Sequence, residues 1–310
     1  MRISTSWAQQ TAVNSLLDQQ SRLQRTQLQL STGKKMLTPS DDAVAVARSL
    51  DLNQGIKQTE QYQGNINVAR QRLSLEDGVL QNATEVLHKI KELGVQGLNA
   101  TNSPSDRVII ATEMESLNEH LVSLANTRNA NGEYLFSGFK SATQPFSKDA
   151  LNVGAYIYTG DTNSRTIQIS ENRQIADGDH GENVFGIPMG GPLPATVPAP
   201  GSITNIFEAI DRFAADMKSN TPNSASLDDI SSALNKILTV EASVGARLNA
   251  LDNQEEINAD FVLNMKTVLS ATEYLDYAEA ISKFNQQTVS LQAAQQAFTQ
   301  VKKLSLFNYL

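Results

Sequence analysis

The 310-residue chain contains no cysteine. Disulfide bonds, catalysis by a thiolate, and zinc or iron–sulfur sites built on cysteine are therefore excluded. The sequence also lacks any apolar run approaching the roughly 18 residues that a membrane-spanning helix requires. Its first residues, 1–7, include no apolar segment of the kind found in cleaved secretory signals, so we expect any export to follow another route.

Histidine is scarce, with three residues in the whole chain. His88, His120 and His180 do not have the paired spacing of a zinc protease, and the sequence has neither a nucleophile elbow nor a phosphate-binding loop. The segment 177–179 resembles part of a calcium loop but lacks the rest of that pattern. We therefore expect no enzymatic site, no metal and no cofactor.

Charged residues make up 19% of the chain and give a net charge of −8, with an isoelectric point near 5.0. This acidic balance disfavours binding to nucleic acid or to an anionic membrane surface. Hydrophobic residues account for 40%, which is sufficient for packed cores, and the length is typical of two or three domains. The composition is therefore that of a folded protein whose partners are neither nucleic acid nor lipid.

Two stripes of regularly spaced residues lie at opposite ends of the chain. Their spacing alternates between three and four, which is the pattern of a helix that buries a narrow face against another helix. The N-terminal stripe consists of Val13, Leu16, Gln20, Leu23, Gln27 and Leu30. The C-terminal stripe consists of Ala280, Phe284, Gln287, Leu291, Ala294, Phe298 and Val301. We expect the two segments to pair with each other.

The paired stripes are narrow and include glutamine, so few large apolar side chains would stabilise two long helices. Backbone ordering opposes their folding over the whole length of both segments. We therefore predict that both ends are disordered in the free subunit and fold only when neighbouring subunits cover them. Ordinary core helices of a bundle are the alternative interpretation.

Between the stripes, start signals and spacing predict long helices. Residues 38–41 (Thr-Pro-Ser-Asp) predict a helix with Thr38 as N-cap that runs to about Leu98, although three glycines weaken it. Residues 103–106 repeat the signature and predict a helix that ends near 129–132.

The middle of the chain has a different character. Short β-like pieces are expected at 134–136, 156–158 and 166–169, and proline concentrates in 186–201, which predicts an irregular loop. Helical spacing returns at Ile206 to Met217. A further start signal at Thr221 or at Ser226 precedes a stripe that extends to Leu275.

These elements predict a mainly α fold: a rod of long antiparallel helices in coiled-coil-like packing formed from both chain ends, with a small β-rich inserted domain in the middle. Residues 1–38 and 276–310 would be a terminal coiled-coil region. Residues 39–137 and 203–275 would form a helical rod domain, and 138–202 a small outer insert. The tail is unusually apolar, and we expect it to be buried in an assembly or held beforehand by a chaperone. The tail residues concerned are Leu304, Leu306, Phe307 and Tyr309.

Several segments resemble a known family. Those similar to the N-terminal region of bacterial flagellins and their relatives are 38–43, 91–96 and 99–103. Those similar to the hook-associated FlgL family within the flagellin superfamily are 1–5, 131–138, 158–161, 181–185 and 305–310. The resemblance spans the chain and is weakest in 186–201.

The resemblance implies a structural protein of the bacterial flagellum, exported by the flagellar type III apparatus without a cleaved signal. Its place would be the hook–filament junction, in a ring of its own copies between the other junction protein, FlgK, and flagellin. It also implies that the two stripes form an inner coiled-coil tube and that a cytoplasmic export chaperone docks near the C terminus. The assembly residues are then Val13, Leu16, Leu23, Leu30, Phe284, Leu291, Phe298 and Val301.

Three other functions remain open at this point. The first is flagellin itself, the filament subunit, although the ending 306–310 and the small insert favour the junction protein. The second is an enzyme displayed on the filament, which the lack of a paired acid–base constellation disfavours. The third is a secreted coiled-coil effector or adhesin, which a test of flagellar assembly would distinguish.

Overall fold

In this computed structural model, residues 2–150, 154–186 and 205–303 are described. Within them the chain forms seven helices and four strands. The helices are α1 (Arg2–Thr32), α2 (Ala43–Leu98), α3 (Pro104–Ala125), α4 (Gly181–Phe185), α5 (Ile206–Lys218), α6 (Ser224–Glu273) and α7 (Tyr277–Lys303). The strands are β1 (Phe146–Lys148), β2 (Tyr156–Tyr158), β3 (Thr166–Ser170) and β4 (Arg173–Ala176). The predicted class, mainly helical with a small strand region in the middle, is confirmed.

The chain divides into two compact units. The terminal unit consists of Met1–Thr59 and Asp260–Leu310, and the central unit is Glu60–Ala259. The boundaries therefore fall within α2 and α6. The division into three regions predicted from the sequence uses different boundaries and stays a prediction. No helix in the described ranges combines the length and the hydropathy needed to cross a bilayer.

The start of α2 differs from the prediction that placed Thr38 at the N-cap. Asp42 caps the helix instead, because its Oδ1 accepts a 2.9 Å hydrogen bond from the Ala45 N–H. Thr38 belongs to a turn before the helix, closed by a 3.0 Å bond from the Asp41 N–H to the Thr38 carbonyl. From Ala43 the helix continues to Leu98 as predicted, without a break at Gly55, Gly64 or Gly78.

The start of α3 is as predicted. Ser103 is the N-cap and forms a capping box with Asp106: Ser103 Oγ accepts from the Asp106 N–H at 3.2 Å, and Asp106 Oδ2 accepts from the Ser103 N–H at 3.1 Å. The Ser103 hydroxyl and backbone N–H also hold the pKa of the Asp106 carboxyl below its usual value. The helix ends at Ala125, before the predicted 129–132, and the predicted strand at 134–136 is wrong, since Tyr134 forms an isolated bridge to Arg128.

Replacing Ser103 by alanine should lower the free energy of unfolding by about 1 kcal/mol, because an N-terminal N–H of α3 then loses its acceptor. The measurement is urea denaturation of the purified protein, followed by circular dichroism. Ser105→Ala is the matched control, since Ser105 is exposed in the same helical turn and should change stability by under about 0.5 kcal/mol. Equal losses in the two variants would contradict the capping role.

The core of the central unit is helical and aromatic. Helix α3 packs against α5, and β1 pairs with β2 antiparallel, with Phe146 opposite Tyr158. The ring of Phe207 lies 5.0 Å from that of Phe146 and 5.6 Å from that of Phe185, measured between centroids. All three phenylalanines are fully buried. The α5 prediction is confirmed, whereas β1 and α4 were not predicted from the sequence.

The second sheet is the β3–β4 hairpin, which pairs Thr166 with Ala176 and carries an irregularity between Gln168 and Ser170. Its apolar side chains include the fully buried Ile169. The Asn65 amide of α2 donates to the Gln168 carbonyl at 2.7 Å, and the Asn258 amide of α6 donates to the Ile169 carbonyl at 3.1 Å. Helices α2 and α6 thus both hold the hairpin through hydrogen bonds to its backbone.

The predicted proline-rich loop lies outside the described residues except for Gly186. Helix α6 starts at Ser224, between the two predicted positions, and Asn223 Oδ1 accepts from the Ala225 N–H at 3.0 Å. The last helix, α7, begins after Asp276, whose Oδ1 accepts from the Ala278 N–H at 2.9 Å. Each of these starts is therefore set by an asparagine or aspartate cap.

Candidate assembly interface

The terminal unit brings the two stripes onto helices that pack against each other, α1 and α7. In the N-terminal stripe, Leu16, Leu23 and Leu30 are half-buried, whereas Val13 is 37% exposed. In the C-terminal stripe, Ala280 is buried, and the half-buried residues are Phe284, Gln287, Leu291, Ala294 and Phe298. The pairing of the chain ends is therefore present within one subunit, and it leaves most of these side chains partly open to solvent.

Some residues predicted to act in assembly or chaperone docking lie partly or wholly outside the described residues. Val301 belongs to α7, but its side chain is outside the described set. The tail residues lie wholly outside the described residues: Leu304, Leu306, Phe307 and Tyr309. Their predicted roles in assembly and chaperone docking remain predictions.

Three large apolar side chains on the paired helices are exposed, and sequence reasoning missed them. Leu17 and Leu28 of α1 are 58% and 56% exposed, and Val289 of α7 is 65% exposed. These side chains fall outside the alternating spacing of the stripes, so the pattern search did not select them. Large apolar side chains left in water on both helices are typical of a surface that a partner covers.

The connections that lead out of α1 and into α7 are hydrogen-bonded to each other. The Lys35 N–H donates to the Glu273 carbonyl at 2.8 Å, and the Leu275 N–H donates to the Gly33 carbonyl at 3.0 Å. Gly33 adopts a φ of 68°, a left-handed conformation, and a Cβ there would lie 2.8 Å from the Tyr277 hydroxyl. The left-handed conformation thus favours glycine at this position, which directly follows the last residue of α1.

An acidic group fixes the turn between α1 and α2. Asp41 Oδ2 accepts from the backbone N–H groups of Leu37 (2.9 Å) and Thr38 (3.0 Å), and Arg25 of α1 lies 2.6 Å from Asp41 Oδ1. These backbone hydrogen bonds, with a smaller contribution from Arg25, hold the pKa of the Asp41 carboxyl below its usual value. Asp41 therefore stays ionised at neutral pH and ties the end of α1 to the turn that precedes α2.

Outside the terminal unit, two of the residues weighed for chemistry occupy structural positions. His180 is the N-cap residue of α4. Asp177, from the segment that resembles part of a calcium loop, is buried and lies 3.3 Å from Arg72, measured from Nε to Oδ2. Within the described ranges, no cluster of three acidic or histidine side chains is placed to hold a metal ion.

Comparison with known proteins places these features in context. Residues 3–141 match the model of the bacterial flagellin N-terminal helical region. The chain is 32% identical to flagellar hook-associated protein 3 of Escherichia coli (strain K12) and 30% identical to that of Salmonella typhimurium (strain LT2), each alignment covering 99% of both proteins. The fold is similar to that of the flagellar junction protein FlgL from Legionella pneumophila, with a TM-score of 0.60, 24% identity, and coverage of 74% of this chain and 100% of that one.

Proposed function

The chain belongs to the family of flagellar hook-associated protein 3, a structural component of the bacterial flagellum, and we propose that it is the adaptor that joins the hook side of the flagellum to flagellin. The observation that carries this proposal is the 32% identity over 99% of both chains. Flagellin itself is the second candidate, and the match of residues 3–141 to the flagellin region reflects the common superfamily.

An adaptor in a helical lattice contacts non-equivalent faces of its neighbours. One side of the subunit must fit the other junction protein, FlgK, and the opposite side must fit flagellin, so specificity is a difference between two affinities. The subunit would also contact copies of itself in a ring. We infer that the stripes and the exposed apolar residues of α1 and α7 supply the contacts nearest the axis.

The proposed coupling of folding to assembly is supported by the solvent exposure of these helices. Leu17, Leu28 and Val289 would be covered by neighbouring subunits, whose apolar contacts add to the pairing of α1 with α7. Limited proteolysis of the purified monomer tests this: we expect rapid trimming at both ends and a resistant fragment close to the central unit. Resistance of both ends at low protein concentration would contradict it.

Two further proposals concern the route to the flagellum. We infer that the chain leaves the cell through the flagellar type III apparatus and that an export chaperone holds its apolar tail beforehand. Family membership and the composition of residues 304–310 support this. A pull-down from cytoplasm with the full chain, compared with a chain that ends at Lys303, tests the chaperone contact, and equal capture of the same chaperone would contradict it.

Deletion of the gene tests the adaptor role itself. We expect cells that build hooks but release flagellin monomers into the medium, with motility restored by the gene on a plasmid. The number of subunits per flagellum separates the two candidates, because an adaptor ring needs few copies whereas a filament needs thousands. Normal swimming of the deletion strain, or a copy number equal to that of flagellin, would contradict the adaptor role.

A further inference from the structure

A carboxylic acid of α2 is buried beneath the loop that connects β4 to α4. The side chain of Glu76 has no exposed surface. Its Oε1 accepts a 3.1 Å hydrogen bond from the Asp179 N–H, and Gly178 passes so close that a Cβ there would lie 3.7 Å from Oε2. Oε2 has no hydrogen-bond partner among the described residues. A buried carboxyl in such a place is unusual and calls for a physical account.

Ion pairs hold the same loop on either side of Glu76. Asp177, at the end of β4, pairs with Arg165 and lies 3.3 Å from Arg72 of α2. Asp179 pairs with Arg247 of α6. Arg247 also donates to the Ala176 carbonyl at 3.4 Å. The loop is thereby attached to both α2 and α6 of the central unit through charged side chains.

The charged side chains that form these ion pairs are a cluster whose charges balance without Glu76. Three arginines are paired with three carboxylates, the third being Glu133, which lies 3.0 Å from Arg72. An ionised Glu76 would add a fourth negative charge, next to Asp179 and with no fourth arginine in the cluster. The other titratable groups of the loop and of α4 are His180 and Glu182.

We propose that Glu76 is a proton-operated latch that holds the β3–β4 hairpin and α4 against α2 and α6. With its proton bound, the acid is neutral and the paired charges keep the loop closed. When the proton leaves, the uncompensated carboxylate repels Asp179 and favours water, so the loop and the hairpin open. Because the protein belongs to the flagellum, the pH of the surrounding medium would set the state of this latch.

The direction of the pH dependence follows from linkage between protonation and opening. Burial and, to a smaller extent, the neighbouring Asp179 raise the pKa of Glu76 from 4.5 to about 8, although Arg247 acts in the opposite direction. Since the closed form binds the proton more tightly than the open form, the stabilisation is complete below pH 4.5 and is lost as the pH rises to about 8. One proton accounts for as much as about a tenfold change in the opening constant per pH unit.

Hydrogen exchange of the β3–β4 amides, measured from about pH 5 to 8.5 and corrected for intrinsic rates, tests the latch. Glu76→Gln removes the titrating group and keeps its shape, so the opening constant of the wild-type hairpin should rise relative to this variant by up to about tenfold per pH unit. Glu85→Gln is the matched control, because Glu85 is exposed on α2 and should follow the wild type.

Two results would overturn the proposal. One is a parallel pH profile of the wild type and Glu76→Gln. The other is a rise of the opening constant with pH that is equally large for the amides of α3 and α5, because the latch acts on the hairpin and not on the whole unit. If Glu76→Gln does not fold, carboxyl carbon NMR of the wild-type protein decides: titration of Glu76 well above 4.5 supports the latch, and titration near that value refutes it.

Discussion

Replacing Leu23 by aspartate is expected to abolish filament growth, so that cells carry hooks and release flagellin into the medium. Leu23 lies in the N-terminal stripe and is half-buried in the single subunit, on a helix that packs against α7. In the proposed assembly, neighbouring subunits would complete its burial. An ionised carboxylate at that position would lose its water without gaining a partner, at a cost of several kcal/mol in each copy of the ring.

The matched control is Gln24→Asp, which adds the same charge to the next residue of α1, where the side chain is exposed. We expect this strain to swim at close to the wild-type rate in soft agar, whereas Leu23→Asp should match the deletion strain. Immunoblots of the culture medium must show that both variants are exported equally. Normal filaments on cells that carry Leu23→Asp would contradict the role of the stripe in assembly.

The second large effect is expected on stability. Replacing Phe207 by alanine should lower the free energy of unfolding of the central unit by about 3–5 kcal/mol. Phe207 is fully buried, and its ring also lies 5.4 Å from that of Tyr156 in addition to those of Phe146 and Phe185. The truncation would therefore leave a cavity at the point where β1, β2, α4 and α5 meet, and it would remove several ring contacts at once.

Urea denaturation followed by near-ultraviolet circular dichroism measures this loss, since Tyr156 and Tyr158 of the aromatic cluster contribute to that signal. Phe139→Ala is the matched control: the same atoms are removed from a side chain that is 58% exposed, and the change should stay within about 0.5 kcal/mol. Similar losses in the two variants would mean that the aromatic cluster is not the main source of stability here.

The helices of this protein could largely be predicted from the sequence, because their signals are local. Ser103 carries its cap partner three residues away, and the predicted start of α3 was confirmed. The predicted start of α2 was wrong because the sequence offers two possible N-caps. Thr38 precedes a proline and has the expected signature, but Asp42 lies closer to the helix and caps it. The N-cap residue depends on the backbone conformation before the helix, which the spacing of residues in the sequence does not specify.

The strands of the middle region were harder to predict. Residues 156–158 and 166–169 were predicted as strands and were found, whereas β4 begins with two polar residues and was missed. The predicted strand at 134–136 has the right composition, but its neighbours form a turn without a paired strand. A segment with the composition of a strand forms one only when a partner strand is available, and a short partner strand is difficult to recognise from sequence.

The buried ion pairs could not have been predicted. Asp177 lies in a segment that resembles part of a calcium loop, and nothing in the sequence indicates that its side chain is buried. Its partner Arg72 lies on a helix far away in the sequence, and neither residue has a pattern that identifies the other. Glu76 shares the spacing of the buried residues Leu73 and Leu80 on α2, but no local signal identifies the loop that folds over it.

The two backbone hydrogen bonds that join Gly33 to Leu275 and Lys35 to Glu273 have a consequence for the evolution of chain length. They fix the rotational phase of both terminal helices at one end. An amino acid inserted between Leu30 and Gly33 would turn every preceding side chain of α1 by about 100° around the helix axis. Single insertions and deletions should therefore be excluded from this stretch, even where nearly any substitution could be accommodated.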